Sequence, residues 1–140
     1  MKGMLKSVGI CVLLAGCASS QLPQPLPLKD THWVIVELNG EAFESPSGDT
    51  AYYLELHRNG TMDAWAGCNV LHGVYQHEGT VLRIGPFAEL TRQCSKAEME
   101  EERRVMRALE GASHYALSAD ALSLLNPIGI EQARLQARRK

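Results

Sequence analysis

From residue 32 onward the chain is cut into short pieces. Apolar or β-branched runs of five to seven residues are closed in turn by Asn39-Gly40, Asn59-Gly60, Glu78-Gly79, Gly85-Pro86 and Asn126-Pro127. Gly and Pro at such spacing punctuate a chain into strand-sized segments. Only one stretch, from about residue 96 to 110, is long enough for an α-helix. Consecutive strands joined by tight turns pair antiparallel. The helix–strand alternation that a parallel sheet would need is missing.

The first run, His32 to Leu38, is β-branched and aromatic. Tyr52, Leu54 and Leu56 then alternate with Tyr53, Glu55 and His57, which predicts a strand with one buried face. Asn59-Gly60 between this run and Thr61–Trp65 predicts a hairpin. Asn59-Gly60-Thr61 also matches a glycosylation sequon, and the hairpin is the preferred reading. Further strands are expected at Thr80–Ile84, broken by Gly85-Pro86, and at His114–Leu117, Ala121–Leu125 and Ile130–Ala137. Ser95 and Glu98 have capping-box spacing, and Gly111 is placed to end the helix they begin. Its apolar residues, Met99, Val105, Met106 and Leu109, share a sector with Glu102. Glu98, Glu100, Glu101 and Glu102, interleaved with Arg103, Arg104 and Arg107, predict a solvated face, with Glu100 supporting Arg103 and Arg104. The expected core includes Trp33, Leu54, Leu56, Leu82, Met106 and Leu109.

The chain has 140 residues, one domain's worth. Fourteen basic against sixteen acidic residues give a net charge of −2, which argues against a nucleic-acid binder. The N-terminus reads as a processing signal: Lys2 and Lys6, the apolar run Val8–Ala15, then Gly16-Cys17. The apolar run is too short for a permanent span. Leu14-Ala15-Gly16-Cys17 resembles the lipobox of bacterial lipoproteins. The resemblance implies cleavage before Cys17, acylation of Cys17 and attachment to a membrane. Ala18 in place of Asp implies the outer membrane, facing the periplasm. The expected organisation is a signal peptide over 1–16, a lipidated Cys17 with a Pro-rich tether over 17–30, and a folded domain over 31–140. Loss of residues 1–16 removes Lys2, Lys6 and Cys11 and brings the net charge near −4. Cys68 and Cys94 remain, and an even pair in an oxidising compartment is expected to form a disulfide. The alternative is two small buried thiols.

Gly67-Cys68-Asn69-Val70-Leu71-His72-Gly73-Val74-Tyr75 resembles the G-C-N-x-x-x-G-x-Y signature of the META domain, a family of HslJ-like bacterial lipoproteins. Trp33 opening the first strand, Leu38-Asn39-Gly40, Thr91 shortly before Cys94, and a Glu-bearing helix agree with it. The spacing departs from the family pattern: two residues separate Thr91 from Cys94, where three are usual. The resemblance covers about residues 31–138. It implies a mostly β (α+β) fold, an antiparallel curved sheet or partly closed barrel with one packed α-helix. It implies no enzymatic activity and a loose link to envelope stress.

Within the signature, Gly67 and Gly73 are expected to allow close packing or unusual backbone, and Asn69 to serve its own turn. A ligand-binding loop is the rival reading. A nucleophilic Cys68 beside His72 lacks any sign of an activating base. Cys68, Cys94, His72 and His77 match no standard zinc spacing. No catalytic residue, metal or cofactor is therefore expected. The basic end Arg134, Arg138, Arg139 and Lys140 reads as solubilising, with headgroup contact as the alternative. Three functions fit a small exported β-domain: an envelope-stress module that binds another envelope protein, a lipocalin-like carrier of a small apolar ligand, and a lysozyme-inhibitor-type lipoprotein.

Overall fold

The computed structural model describes residues 24–88 and 91–138. The signal segment, Cys17 with the first part of its tether, and Arg139-Lys140 lie outside the described residues. Nine strands and one helix follow in chain order. They are β1 (Trp33–Leu38), β2 (Glu41–Ala42), β3 (Tyr53–Leu56), β4 (Thr61–Trp65), β5 (Val70–Glu78), β6 (Val81–Phe87), α1 (Lys96–Glu110), β7 (His114–Ser118), β8 (Ala121–Leu125) and β9 (Glu131–Ala137). A single 3₁₀ turn, Gly48–Thr50, sits between β2 and β3.

Neighbouring strands pair antiparallel in the order β2-β1-β3-β4-β5-β6-β7-β8-β9, and β1 also pairs with β9. That last pairing closes β1 and β3–β9 into an eight-stranded barrel, with β2 a short spur on β1. Closure removes the exposed edges of an open sheet. The register of β1 on β9 shifts between Ile35 and Glu37, a bulge that helps β1 turn from one neighbour to the other.

An eight-stranded barrel is just wide enough for its own side chains to fill. Trp33, Leu54, Leu56, Met62, Leu71, Leu82, Leu122, Leu124 and Leu135 are fully buried in it. Most are Leu on alternating positions, so the period-2 pattern delivers one face of each strand to a common lumen. The hairpins 57–60, 78–80 and 118–120 gather at one end. There the N-terminal segment crosses the opening: Leu26 N–H donates to Ala119 O at 2.9 Å, Asp30 N–H to Leu56 O at 2.8 Å, and Leu28 is buried. The helix packs on β6 and β9 toward the opposite end, presenting Val105, Ala108 and Leu109 to the core.

Several boundaries differ from those expected. β6 does not break at Gly85-Pro86 but runs through it to Phe87, with a cis peptide between the two. Its register on β5 shifts between Tyr75 and Gly73, so Pro86 sits at an irregularity rather than in the ladder it cannot donate to. Met106 is half-buried at the flank of the helix; Ala108 holds the inward position instead. At about 100° per residue the buried positions 102, 105, 108 and 109 span about 120° of the helix, and 106 falls about 40° outside that sector. The capping box forms, with Ser95 Oγ accepting from Glu98 N–H at 3.3 Å and Glu98 Oε2 from Ser95 N–H at 2.9 Å. Arg103 pairs with Glu100, but Arg104 pairs with Glu101 rather than Glu100. Glu102 leaves the solvated face altogether: it is 4 % exposed.

Candidate functional site

The G-C-N run links β4 to β5 at the helix end of the barrel. Gly67 has φ +97°, and a Cβ there would meet Tyr52 Oη at 3.0 Å. Either feature alone favours glycine. Gly73 is needed for space: a Cβ would lie 3.0 Å from Pro86 O and 3.1 Å from Met62 Sδ. Cys68 and Cys94 are joined by a disulfide with Cα atoms 5.9 Å apart, inside the range a bridge requires. A bonded pair leaves no thiolate at Cys68 for nucleophilic chemistry.

Asn69 does more than serve its own turn. Its backbone N–H donates to Glu102 Oε2 at 2.6 Å. Its side-chain amide donates to Glu102 Oε1 at 3.1 Å and to Arg92 O at 3.2 Å, while Oδ1 accepts from Arg92 N–H at 3.1 Å. A primary amide carries donor and acceptor on one short stem, so it matches the N–H and C=O of the segment before the helix and still reaches the helix. Glu102 is the residue that sequence reasoning missed. Its only signal was a carboxylate in the apolar sector of α1, a placement that needs a buried hydrogen-bond partner. Tyr75 is buried and its hydroxyl donates to His57 O at 2.6 Å. Thr91 is exposed. No buried side-chain nitrogen or oxygen lacks a partner among the described residues. The signature thus fastens strand, loop and helix together.

The outer wall of β1, β3, β4 and β5 carries two adjacent rows. Cross-strand register places Val34, Tyr53, Trp65 and Val70 side by side. One step along, Glu55, Asp63 and His72 stand in register. Like charges opposite one another are unfavourable, and three imidazoles offset the Glu55–Asp63 juxtaposition. His32 Nδ1 lies 2.8 Å from Glu55 Oε1, His57 Nε2 3.0 Å from Asp63 Oδ2, and His72 Nδ1 2.6 Å from Asp63 Oδ1. Burial pushes the Asp63 pKa up, but hydrogen bonds from His57 and His72 and the charges of both rings outweigh it, so the net shift is below the ordinary 3.8. Burial, then the charges of Glu55 and Asp63, raise the Tyr53 hydroxyl above its ordinary value. His72 is therefore committed to Asp63, not to Cys68. Among the described residues no group of three or more His, Cys, Asp or Glu side chains is placed to hold a metal ion.

A lowered carboxylate pKa stabilises the fold above the unfolded value near 3.8, and that contribution is lost as pH falls through the lower native value. Asp63→Asn is accordingly expected to give a shallower loss of stability on acidification from about pH 5 to pH 2 than the parent chain. Urea melts across that range check it, and identical slopes would remove Asp63 from the acid response.

At the other end of the barrel, beside the N-terminal segment, lies an open cleft of about 570 Å³. Pro27, Leu28 and Leu117 give it an apolar floor, and Lys29, Arg58, His77 and Tyr115 supply polar groups. His77 follows the lumen-facing Tyr75 by two residues, so the pleat directs it toward the barrel mouth. Tyr115 Oη is 3.2 Å from Gly79 O, to which it can donate, and 3.0 Å from His77 Nε2. Arg58 Nε donates to Asp30. Lys29 Nζ stands 5.9 Å from the centre of the Tyr75 ring. Sequence reading did not assemble this cleft, because its residues come from four separated segments.

Comparison with known proteins follows from this geometry. The META domain model matches residues 26–140. A protein from Burkholderia xenovorans, solved by NMR, is similar over the full length of both chains at 18% identity, with a TM-score of 0.61. A DUF4847 family protein from Bacteroides vulgatus, solved by crystallography, covers 81% of this chain and 96% of its own at 15% identity, with a TM-score of 0.60. A further NMR structure covers 78% of this chain and 90% of its own at 15% identity, with a TM-score of 0.58. Likeness at these identities is a likeness of fold. No curated protein matches the chain significantly. With the signature, the barrel and the family match over residues 26–140 in agreement, the chain belongs to the META domain family.

Proposed function

We propose that this META domain is carried by an outer-membrane lipoprotein on the periplasmic side, and that it works by binding another envelope protein rather than by catalysis. The observation that carries the binding reading is the outer wall of the barrel. Val34, Tyr53, Trp65 and Val70 form an apolar row across four strands, bordered by the ionisable row Glu55, Asp63 and His72. Val70 and, on the same face of β5, Val74 are 41% and 46% exposed. Apolar surface rimmed by polar groups, with aromatic anchors, is what protein interfaces use. A carrier of an apolar ligand is less well supported, because large side chains fill the lumen where cargo would sit. The lysozyme-inhibitor reading has no observation of its own in its favour. Membrane attachment is supported by the Leu14-Ala15-Gly16-Cys17 order, and an envelope-stress role only by the family resemblance.

Two measurements test this. A photo-crosslinking residue placed at Trp65 in growing cells should yield a discrete adduct, while the same residue at Ala116, exposed on β7, should not. Equal adducts at both sites would discard the outer wall as an interface. Cys17→Ser should abolish acylation and release the chain from membranes. A variant that still carries acyl chains and still pellets would end the lipoprotein reading.

A further inference from the structure

We propose that the cleft in the barrel mouth is the face this chain turns to the bilayer, and that it seats the phosphate of an anionic phospholipid headgroup. The inference rests on the lipoprotein reading for its geometry and on the cleft for its chemistry. The chain leaves the barrel at this end: Leu26 is held on Ala119 O beside the mouth. Leu26 lies nine positions after Cys17, which limits the reach between them to about 30 Å even fully extended. An anchored chain therefore keeps this end of the barrel near the membrane, while α1 and the disulfide lie toward the far end.

Charge complementarity selects the occupant. The processed chain is acidic, near −4, yet among the described residues no acidic side chain lines the cleft. Lys29 has no carboxylate in ion-pair range among the described residues, since it enters none of the ion pairs. Arg58 spends Nε on Asp30 and keeps its two terminal nitrogens for a ligand; its side chain is 79% exposed. Guanidinium and ammonium groups are the side chains that recognise phosphate. Pro27, Leu28 and Leu117 offer an apolar surface for the glycerol and upper acyl segments behind the phosphate. A cleft with cations at its rim and apolar carbon on its floor matches a molecule built in that same order.

The test uses the processed lipoprotein in lipid nanodiscs of phosphatidylcholine alone or of phosphatidylcholine doped with phosphatidylglycerol, each carrying a paramagnetic headgroup label. Amide signals of Lys29, Arg58, His77 and Leu117 should broaden markedly more in the anionic discs than in the neutral ones, where the tether alone holds the mouth near the surface. Each cation near an anionic surface is worth about fivefold in binding, so Lys29→Gln with Arg58→Gln should lower the bilayer-facing population ratio roughly thirtyfold. Arg83→Gln, on the outer wall of β6, should leave it unchanged. Broadening that is equal in both discs, or that centres on Tyr53 and Trp65, overturns the proposal. If mass spectrometry finds Cys17 unacylated, the lipoprotein reading fails on its own. Vesicles of the same two lipid compositions are then offered to the unanchored chain in sedimentation. Binding there that prefers the anionic lipid and is lost in the double variant supports the site. Binding without that preference, or no binding, overturns it.

Discussion

Trp33→Ala is expected to lower the unfolding free energy by about 3–5 kcal/mol, the usual cost of emptying a buried aromatic site. Trp33 is fully buried at the start of β1, where that strand pairs with both β3 and β9. Its indole Nε1–H donates to Leu28 O at 3.0 Å, so the side chain both fills the lumen and holds the N-terminal segment over the mouth. Trp33→Phe separates the two roles. It keeps most of the buried ring and loses the hydrogen bond, for a cost of about 1–3 kcal/mol, larger if the buried Leu28 carbonyl is left unsatisfied. Chemical denaturation measures both, and amide exchange at residues 26–30 should rise in both variants. A Trp33→Ala variant within 1 kcal/mol of the parent would mean that the lumen closes without its largest side chain.

Replacing Cys68 and Cys94 together by Ala is expected to cost about 3 kcal/mol. The bridge closes a loop of 26 residues, and the entropy it removes from the unfolded chain is of that order. The variant should still fold, because Asn69 joins the same three pieces through Arg92 and Glu102 by hydrogen bonds. Those bonds are short-range and need the loop already in place, whereas the covalent bond acts on the unfolded ensemble as well. Denaturant melts of parent and variant give the difference directly. A loss well below 1 kcal/mol would mean that the unfolded loop is already held together by other contacts.

The two features of this junction were unequally legible. Cys68 and Cys94 were open to inference because, on the lipoprotein reading, removal of the first 16 residues and lipidation of Cys17 would leave only these two cysteines in an exported chain. The roles of Asn69 and Glu102 were not, because they depend on which turn of the helix faces which loop. Glu102 shares the apolar sector of α1, but that local mark does not say which loop it meets; the docking angle of α1 sends position 102 inward while Glu98 and Glu100 meet solvent. Gly85-Pro86 misled for a related reason. Gly and Pro break a strand when every backbone N–H must join a ladder, and here a register shift on β5 removes that requirement at Pro86.

What the sequence determines by itself is local: turns at Asn59-Gly60 and Glu78-Gly79, strands whose alternating residues present one apolar face, and a helix fixed by Ser95 and Glu98. These follow from steric preferences and hydrogen bonds within a few residues of each other. Tertiary structure alone decides that β1 meets β9 and turns the sheet into a barrel. It also decides that the lumen is filled and that Lys29, Arg58, His77 and Leu117 converge at its mouth. Closure joins residues about a hundred positions apart, and nothing in either strand encodes the other. It follows from twist, strand number and the volume of the inward side chains taken together, quantities that exist only once all eight strands are in place.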